Sequence, residues 1–403
     1  MLCAHACTVI AGSRYLKLLP PNFSPQNSTW AWLTYETPEF RSLPWHFNRT
    51  AFQAPWDTQA SEDSLNALNA QLNETEFIAY DEAFFDLIGP GVSLEHVQEM
   101  SQINHEGPCL TPNGELFFTE WGPPGGDNGV HTLQYLLDTR TNTLRNIMTT
   151  PPLINHHGCH ARDGKLYVVN DGGVAGNLDA PAELAVIDPQ TWVKTSLLNH
   201  YYEQPFGALN DIAMDPEGNF YFTDSKSGYG KAVTPYAPPT RPQTYFINGT
   251  TLRPKVLHGT DPSTGNTNGV TISPDGKTIY MQETGVSGSR PTRLDPYAQR
   301  SLYSYDFSVS KKTGKKLPVL ENKRLLNEPL AWYYDGIHAS KEGYLFVGAR
   351  ETVDVIDPET GLTIGSIRMK APNLAVNLVF EKNGIWIVGV GGVFHVSNVA
   401  ADL

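Results

Sequence analysis

The chain lacks any run of eighteen apolar residues, the length at which an apolar segment is read as a transmembrane helix, so no membrane-spanning helix is expected. Positive charge is also scarce, because 29 Lys and Arg residues face 42 Asp and Glu residues and the net charge is −13. A nucleic-acid partner calls for a clustered basic patch, and this balance argues against one. The glycine-rich motifs of nucleotide-binding proteins, the HExxH of zinc proteases and the GxSxG of α/β-hydrolases are absent too, so those chemistries lose support.

The chain contains one sequence motif that is repeated six times. A polar residue, usually beside a small one, opens a short apolar strand, a glycine turn follows, and a second apolar strand comes next. The opening residues are Glu106, His157, Asn210, Asn268, Asp335 and Asn377, and the turn glycines are Gly114, Gly164, Gly218, Gly276, Gly343 and Gly384. A strand repeat with a period of roughly forty to seventy residues is typical of β-propellers. We therefore expect an all-β chain folded as a six-bladed β-propeller.

The opening residues of the six copies are expected at the same height around the central channel, where they form one ring. Two carboxylates and three amides at the mouth of a channel make an oxygen-rich site of the kind that Ca²⁺ prefers. The predicted metal ligands are Glu106, Asn210, Asn268 and Asp335. Each of them alone has a simpler interpretation, because Asn-Gly and Asn-Asp pairs are commonly turn residues. Their equivalent positions in successive repeats favour the metal site.

Four segments around these residues resemble the SMP-30/gluconolactonase/LRE-like superfamily, and within it the secreted fungal lactonohydrolases. The segments are HEGPCLTPNGELFFTE, LNDIAMDPEGNFYFTD, NGVTISPDGKTIYMQETG and DGIHASKEGYLFVGA. The resemblance runs from about Asp81 to about Val396. It implies a six-bladed propeller that holds one catalytic Ca²⁺ in its channel and hydrolyses a lactone.

Carried over position by position, the resemblance implies that Glu106, Asn268 and Asp335 are metal ligands and that Asn210 is a ligand or a substrate contact. It also makes Asp335 the candidate base. His157 departs from the family, which has Asn at this point. A histidine suits proton transfer near neutral pH, so we expect His157 to assist catalysis or to contact substrate.

Two long inserts between the repeats, 225–244 and 284–300, are rich in Gly, Pro and Tyr and show no periodicity. Loops of this length are uncommon unless they are functional, so we expect them to roof the channel, with ordinary surface loops as the alternative. Tyr229 of the first insert and Asn377 of the ring are the further predicted substrate contacts. A second repeat places an acidic residue at the end of four of the six second strands, where we expect it to hold loops by hydrogen bonds: Glu120, Asp171, Asp224 and Glu283.

Cys109 and Cys159 follow two ring residues on neighbouring inner strands. A disulfide between them is geometrically conceivable, and a pair of buried free thiols is the alternative. Four Asn-x-Ser/Thr triplets, at Asn27, Asn48, Asn73 and Asn248, are glycosylation sites if the chain is secreted. The apolar N-terminus is a poor signal peptide, since it lacks a charged first region, and the resemblance is what favours the secretory pathway.

The repeat does not extend into the N-terminal quarter of the chain. We therefore divide it into a leader and irregular extension, 1–76, and the propeller, 77–403. The extension is rich in tryptophan, which suggests that it packs on the rest of the protein, and a short helix is expected at 61–72. A propeller closes its ring most simply when an N-terminal strand completes the last blade, and the segment 93–98 is the candidate strand.

The favoured function is a Ca²⁺-dependent lactonohydrolase that acts on a small-molecule lactone, in fungal secondary metabolism. The main alternative is a non-hydrolytic natural-product enzyme on the same scaffold, a cyclase or pericyclase such as a Diels–Alderase, that orients its reactants in a dry pocket. A propeller that only binds ligands has little need for converging carboxylates and is the least favoured. The oligomeric state is left open.

Overall fold

Six four-stranded antiparallel units follow one another along the chain, as the repeat predicts. The computed structural model describes residues 13–44, 47–49, 52–122, 130–175, 178–285, 294–309 and 317–403. In this part of the chain the first strand of each unit contacts the first strands of the next and the previous one, so that the units close into a ring. The predicted all-β, six-bladed β-propeller is confirmed.

Each blade is numbered from its ring residue. The strands of blades one to three are Asn104–Leu110, Glu115–Gly122, Gln134–Asp138 and Thr143–Ile147; His156–Arg162, Lys165–Asn170, Leu184–Asp188 and Val193–Leu198; and Leu209–Met214, Phe220–Asp224, Gln243–Ile247 and Pro254–Gly259. Those of blades four to six are Thr267–Ile272, Thr278–Glu283, Leu302–Val309 and Pro318–Asn327; Ile337–Ala339, Leu345–Ala349, Thr352–Ile356 and Thr363–Arg368; and Leu374–Glu381, Gly384–Val390, Gly392–Ser397 and Ser93–Glu99.

The remaining elements are short. Three small hairpins pair Phe47–Asn48 with Gln59–Ala60, Gly173–Ala175 with Leu178–Ala180, and His200–Tyr201 with Gln204–Pro205. The helices are Pro38–Arg41, the 3-10 turn Pro55–Asp57, Asp63–Glu74, Ala83–Ile88 and Ser227–Gly230. Asp63–Glu74 confirms the helix expected at 61–72. Within the described residues, no helix is both long and apolar enough to cross a membrane.

Blade six is closed by both ends of the fold. Its fourth strand, Ser93–Glu99, pairs antiparallel with Gly392–Ser397, and the Ser93 and Ser397 hydroxyls lie 2.8 Å apart. The predicted closing strand at 93–98 is therefore confirmed. Because this strand comes from the N-terminal side of the repeat, the sheet cannot be completed by the C-terminal residues alone.

The N-terminal extension packs against blade five. Phe77–Ala79 pairs with the outer strand of that blade, and Trp30–Trp32 lies parallel to Phe77–Ala79. The rings of Trp30 and Phe77 are stacked 4.9 Å apart, and Trp32 and Trp56 are buried. The extension thus packs as its tryptophans indicate, although Trp45 lies outside the described residues. The division at 76 and 77 stays a prediction, because strands on both sides of it join one sheet.

One buried arginine joins this extension to the propeller. Arg368, at the end of the outer strand of blade five, is fully buried and forms an ion pair with Glu351 at 3.5 Å. Its guanidinium also donates to the Leu72 carbonyl oxygen and the Asn73 side-chain oxygen, and it lies over the Trp56 ring at 4.5 Å. A buried charge needs polar or charged partners. Because three of the partners of Arg368 belong to the extension, this one residue joins the extension to blade five.

We predict that Arg368→Met lowers the free energy of unfolding by about 3–5 kcal/mol, because it leaves the Glu351 carboxylate buried without its partner. The measurement is equilibrium unfolding in urea. Arg324→Met is the matched control, since Arg324 pairs with Asp306 on the surface and its loss costs about 1 kcal/mol or less. Equal losses in the two variants would show that Arg368 does not hold the extension in place.

Candidate active site

The pairing of each innermost strand pair becomes irregular at the ring residue or directly beside it. In five blades the register between first and second strand shifts at this point, and in blade five the first strand begins only after Asp335. A β-bulge of this kind re-aims a side chain and ends regular pairing. Each ring residue therefore lies at or beside an irregularity of the inner strand pair, although Glu106 and Asn377 keep ladder partners in Thr119 and Val388.

The small residue that follows a ring residue has a steric purpose. Gly107 has a φ of +58°, and a Cβ built on it would lie 2.1 Å from Cε1 of His156 in the neighbouring blade. The inner strand of blade two can approach Glu106 this closely only because no side chain intervenes. The glycine thus sets the distance between the first two ring positions.

One pocket at the channel mouth brings together most of the predicted site residues. It spans about 540 Å³ of space not filled by protein atoms, part of which is open solvent. Five of the six ring residues line it, and Asn377 is the exception. The lining residues are Asn104, Glu106, Trp121, His157, Asn210, Lys226, Ser227, Lys231, Asn266, Asn268, Thr284, Tyr333 and Asp335.

Glu106 and Asp335 are the two carboxylates of the pocket, and each is held by an amide. The Asn377 Nδ2 donates to Glu106 Oε2 at 3.3 Å, and the Asn268 Nδ2 donates to Asp335 Oδ1 at 3.0 Å. Burial and the nearby Asp335 charge raise the pKa of Glu106. Burial raises the pKa of Asp335 to about 6, against the opposing effects of Asn268 and the Lys231 ammonium. Two buried carboxylates that disfavour each other's charge are stabilised by a cation placed between them.

In both asparagines of the predicted ligand set, the side-chain nitrogen contacts a neighbouring side chain. The Asn268 nitrogen bonds to Asp335, and the Asn210 nitrogen lies 3.2 Å from Nδ1 of His157. The side-chain oxygen is then the end of each amide that remains for a ligand in the pocket. With Glu106 and Asp335 they provide four oxygen ligands, which suits Ca²⁺.

This donor set fits a hard cation and not a nitrogen- or sulfur-loving one. Within the described ranges, no three His, Cys, Asp or Glu side chains converge as a metal cluster. The predicted set is of another type, since two of its four members are amides. Glu106, Asn210, Asn268 and Asp335 are the residues that would hold the ion.

His157 is buried against a carboxylate that the repeat did not single out as catalytic. Its Nδ1 lies 3.4 Å from Oδ1 of Asp171 and 3.2 Å from the Asn210 nitrogen, and its ring packs 4.5 Å from that of Trp121. Burial lowers the pKa of His157 well below the ordinary value, and the Lys231 charge adds to this effect. The imidazole is therefore held in the neutral form, with one nitrogen directed at Asp171.

Asp171 differs from the other acidic residues at the ends of the second strands. Asp224 accepts from the Gly207 and Ala208 amides at 2.9 Å each, and Glu283 accepts from Thr260 and Asn266, so these two hold loops as expected. Asp171 is fully buried, and its carboxylate accepts no loop amide of the kind that Asp224 and Glu283 accept, but has Ser227 and Trp121 as polar neighbours. Its charge faces His157 and Lys231 instead.

The two predicted substrate contacts outside the ligand set lie in different places. Asn377 is buried behind Glu106 and positions that carboxylate. In the insert 225–244, the residues that line the pocket are Lys226, Ser227 and Lys231, and Tyr229 is not among them. Substrate contact by Asn377 and Tyr229 stays a prediction. The insert 284–300 falls partly outside the described residues, at 286–293.

Sequence reasoning did not find Trp121 and Lys231. The Lys231 ammonium lies over the Trp121 ring, 4.2 Å from its centroid. Burial lowers the pKa of Lys231, while the charges of Asp171, Asp335 and Glu106 raise it. The usable signal for Lys231 was its position in an insert already expected to cover the channel. The signal for Trp121 was weaker: it directly follows Glu120, the first acidic residue of the second repeat.

A disulfide joins the inner strands of blades one and two. Cys109 and Cys159 are bonded, with their Cα atoms 5.9 Å apart. Among the sequon asparagines, Asn27 is exposed, Asn73 accepts from Arg368, and the Asn248 oxygen accepts from the Thr251 amide at 2.9 Å. Asn48 lies in the strand Phe47–Asn48. Glycosylation at these four positions stays a prediction.

Comparison with known proteins confirms the family resemblance. The family model described as the SMP-30/Gluconolactonase/LRE-like region matches residues 131–387. The lactonohydrolase oryL of Aspergillus oryzae is 29% identical over 348 residues, which cover 81% of this chain and 75% of that protein. The lactonohydrolase oryH of the same organism is 26% identical over 405 residues, covering 83% of this chain and 82% of that protein.

A solved structure supports the fold independently. The gluconolactonase XC5397 from Xanthomonas campestris superimposes with a TM-score of 0.62, over 79% of this chain and 93% of that one. The two sequences are 16% identical, so this likeness concerns the fold alone.

We predict that Gly107→Ala destabilises the protein more than Gly114→Ala does. Both glycines have positive φ, so both substitutions carry a backbone strain of about 1 kcal/mol. Only at Gly107 does the new methyl group meet another side chain, which adds about 1–3 kcal/mol of overpacking. Urea unfolding of the two variants measures the difference, and equal losses would contradict the steric role assigned to Gly107.

Proposed function

Since the chain belongs to the SMP-30/Gluconolactonase/LRE-like family, we propose that it is a Ca²⁺-dependent lactonohydrolase, which hydrolyses a lactone ester to the hydroxy acid. The observation that carries this proposal is the convergence of Glu106, Asn210, Asn268 and Asp335 on one open pocket. Four hard oxygen ligands from four blades suit a cation that keeps further positions for water and substrate. When bound there, such an ion supplies a Lewis acid that polarises the ester carbonyl.

The chain's own residues supply the proton transfers. Asp335, held by Asn268, takes a proton from the attacking water. The water oxygen bonds to the carbonyl carbon, the ring C–O bond breaks, and the released alkoxide oxygen takes up a proton, so that one water is added in all. His157 assists the proton transfer in its neutral form, because the Asn210 amide beside its Nδ1 and the Trp121 ring hold the imidazole in place.

The substrate is proposed to be a small-molecule lactone of fungal secondary metabolism. A single pocket at the channel mouth suits a small molecule, and the relatives named lactonohydrolase come from a fungus. We also propose that the chain enters the secretory pathway. The Cys109–Cys159 disulfide supports this route, because disulfides persist in oxidising compartments.

We predict that Asp335→Asn lowers lactone hydrolysis by about 10²–10⁴-fold and leaves the fold intact, because the amide cannot take the proton from water. The assay is proton release in a pH-stat on aldono-, aromatic and macrocyclic lactones. It is run with Ca²⁺, after EDTA, and after Ca²⁺ is restored. Circular dichroism checks the fold of each variant.

Asp354→Asn is the matched control. Asp354 is also a buried aspartate of blade five whose pKa burial raises to about 6, but it bonds to Thr352 and Ser366 away from the pocket. Full activity of Asp335→Asn would remove its catalytic assignment. EDTA-insensitive hydrolysis would remove the metal, and a product without added water would favour the cyclase or pericyclase.

A further inference from the structure

The segment around Lys231 holds the backbone of this residue beside the pocket. It directly follows the helix Ser227–Gly230, and its amide donates to the Ser227 carbonyl oxygen at 2.7 Å. Gly228 of this helix lies so close to the Gly207 carbonyl oxygen that a Cβ there would come within 2.5 Å. Lys226 fastens the other side, because its ammonium donates to the Gly265 carbonyl oxygen at 3.0 Å. The backbone of Lys231 is thus braced against blades three and four.

The Lys231 side chain places its charge among the carboxylates. Its ammonium lies over the face of Trp121, and the other ring packed against Trp121 is that of His157. Its pKa is raised by the charges of three carboxylates, those of Asp171, Asp335 and Glu106. Lys226, the other lysine of the pocket lining, has its ammonium bound to carbonyl oxygens of the neighbouring loop.

The formal charges of this group do not balance. Three carboxylates against one ammonium leave a net negative charge when all are ionised, and the buried Asp211 carboxylate, which also acts on Glu106, adds to it. A second cation at Glu106 and Asp335 is then attracted by the carboxylates and repelled by Lys231. Both effects act within one pocket, where the protein screens charges less than water does.

We propose that Lys231 is an internal counter-cation of the metal site, which stabilises the carboxylates in the metal-free protein and weakens the binding of Ca²⁺ to them. This inference rests on the proposed function, since it concerns the same ion. It assigns to the insert 225–244 a positioning residue that sets the affinity of the site for its metal.

The test compares Lys231→Met with the wild-type protein in two measurements made without lactone. Isothermal titration calorimetry at neutral pH measures Ca²⁺ affinity, and we expect the variant to bind about tenfold more tightly or better, because the repelling charge is gone. Thermal unfolding after EDTA measures the metal-free protein, and we expect a lower midpoint for Lys231→Met, because its carboxylates lose their counter-charge. Added Ca²⁺ should restore more of the midpoint in the variant than in the wild type.

Two control variants separate charge from packing. Lys231→Arg keeps the positive charge and is expected to stay close to the wild type in Ca²⁺ affinity. Lys323→Met removes a lysine that likewise lies over an aromatic ring, at 3.9 Å from the Tyr303 centroid, but on the outer strands of blade four. It should change neither measurement.

The outcomes distinguish this inference from the function on which it rests. Ca²⁺ binding by the wild type with equal affinity in Lys231→Met overturns the counter-cation and leaves the lactonohydrolase standing. Absence of Ca²⁺ binding in both proteins overturns both. Binding by the variant alone, or much tighter binding by it, supports the counter-cation.

Discussion

The arrangement of the whole site depends on the interruption of the hydrogen-bond ladder at the ring residues. A regular antiparallel pair would point alternate side chains into the two faces of each blade and leave none for the channel. The irregularity at or beside each ring residue changes this alternation locally, and the close approach at Gly107 lets the neighbouring inner strand follow. Five of these positions line the channel pocket, and the sequence varies the side chain placed at each.

Electrostatics then decides which of these positions act together. Glu106 and Asp335 stand on blades far apart in sequence, yet they line one pocket, and the Asp335 charge raises the pKa of Glu106. Amides from Asn268 and Asn377 hold the two carboxylates in place without adding charge. The pocket is thus a set of negative groups fixed by neutral ones, an arrangement that favours positive ligands over any other kind.

The repeat made the fold and the ring predictable, because equivalent positions in a propeller are equivalent in space. It also identified the closing strand at 93–98, since a ring of blades needs one. It could not identify Lys231, whose position comes from packing between an aperiodic insert and two blades. From the repeat, Asp171 was expected to hold loops as Asp224 does, whereas only the three-dimensional structure shows that its carboxylate lies against His157.

The closing of blade six by Ser93–Glu99 has a consequence for biosynthesis. That strand leaves the ribosome early, but its partner Gly392–Ser397 is made only after all the intervening blades. At about 5–20 residues per second, the early strand waits on the order of tens of seconds with an unpaired edge. Cotranslational folding can form the blades one by one, but the ring is joined only once Gly392–Ser397 has been made. A chain cut before Gly392 would therefore lose the closure of its ring as well as the third strand of blade six.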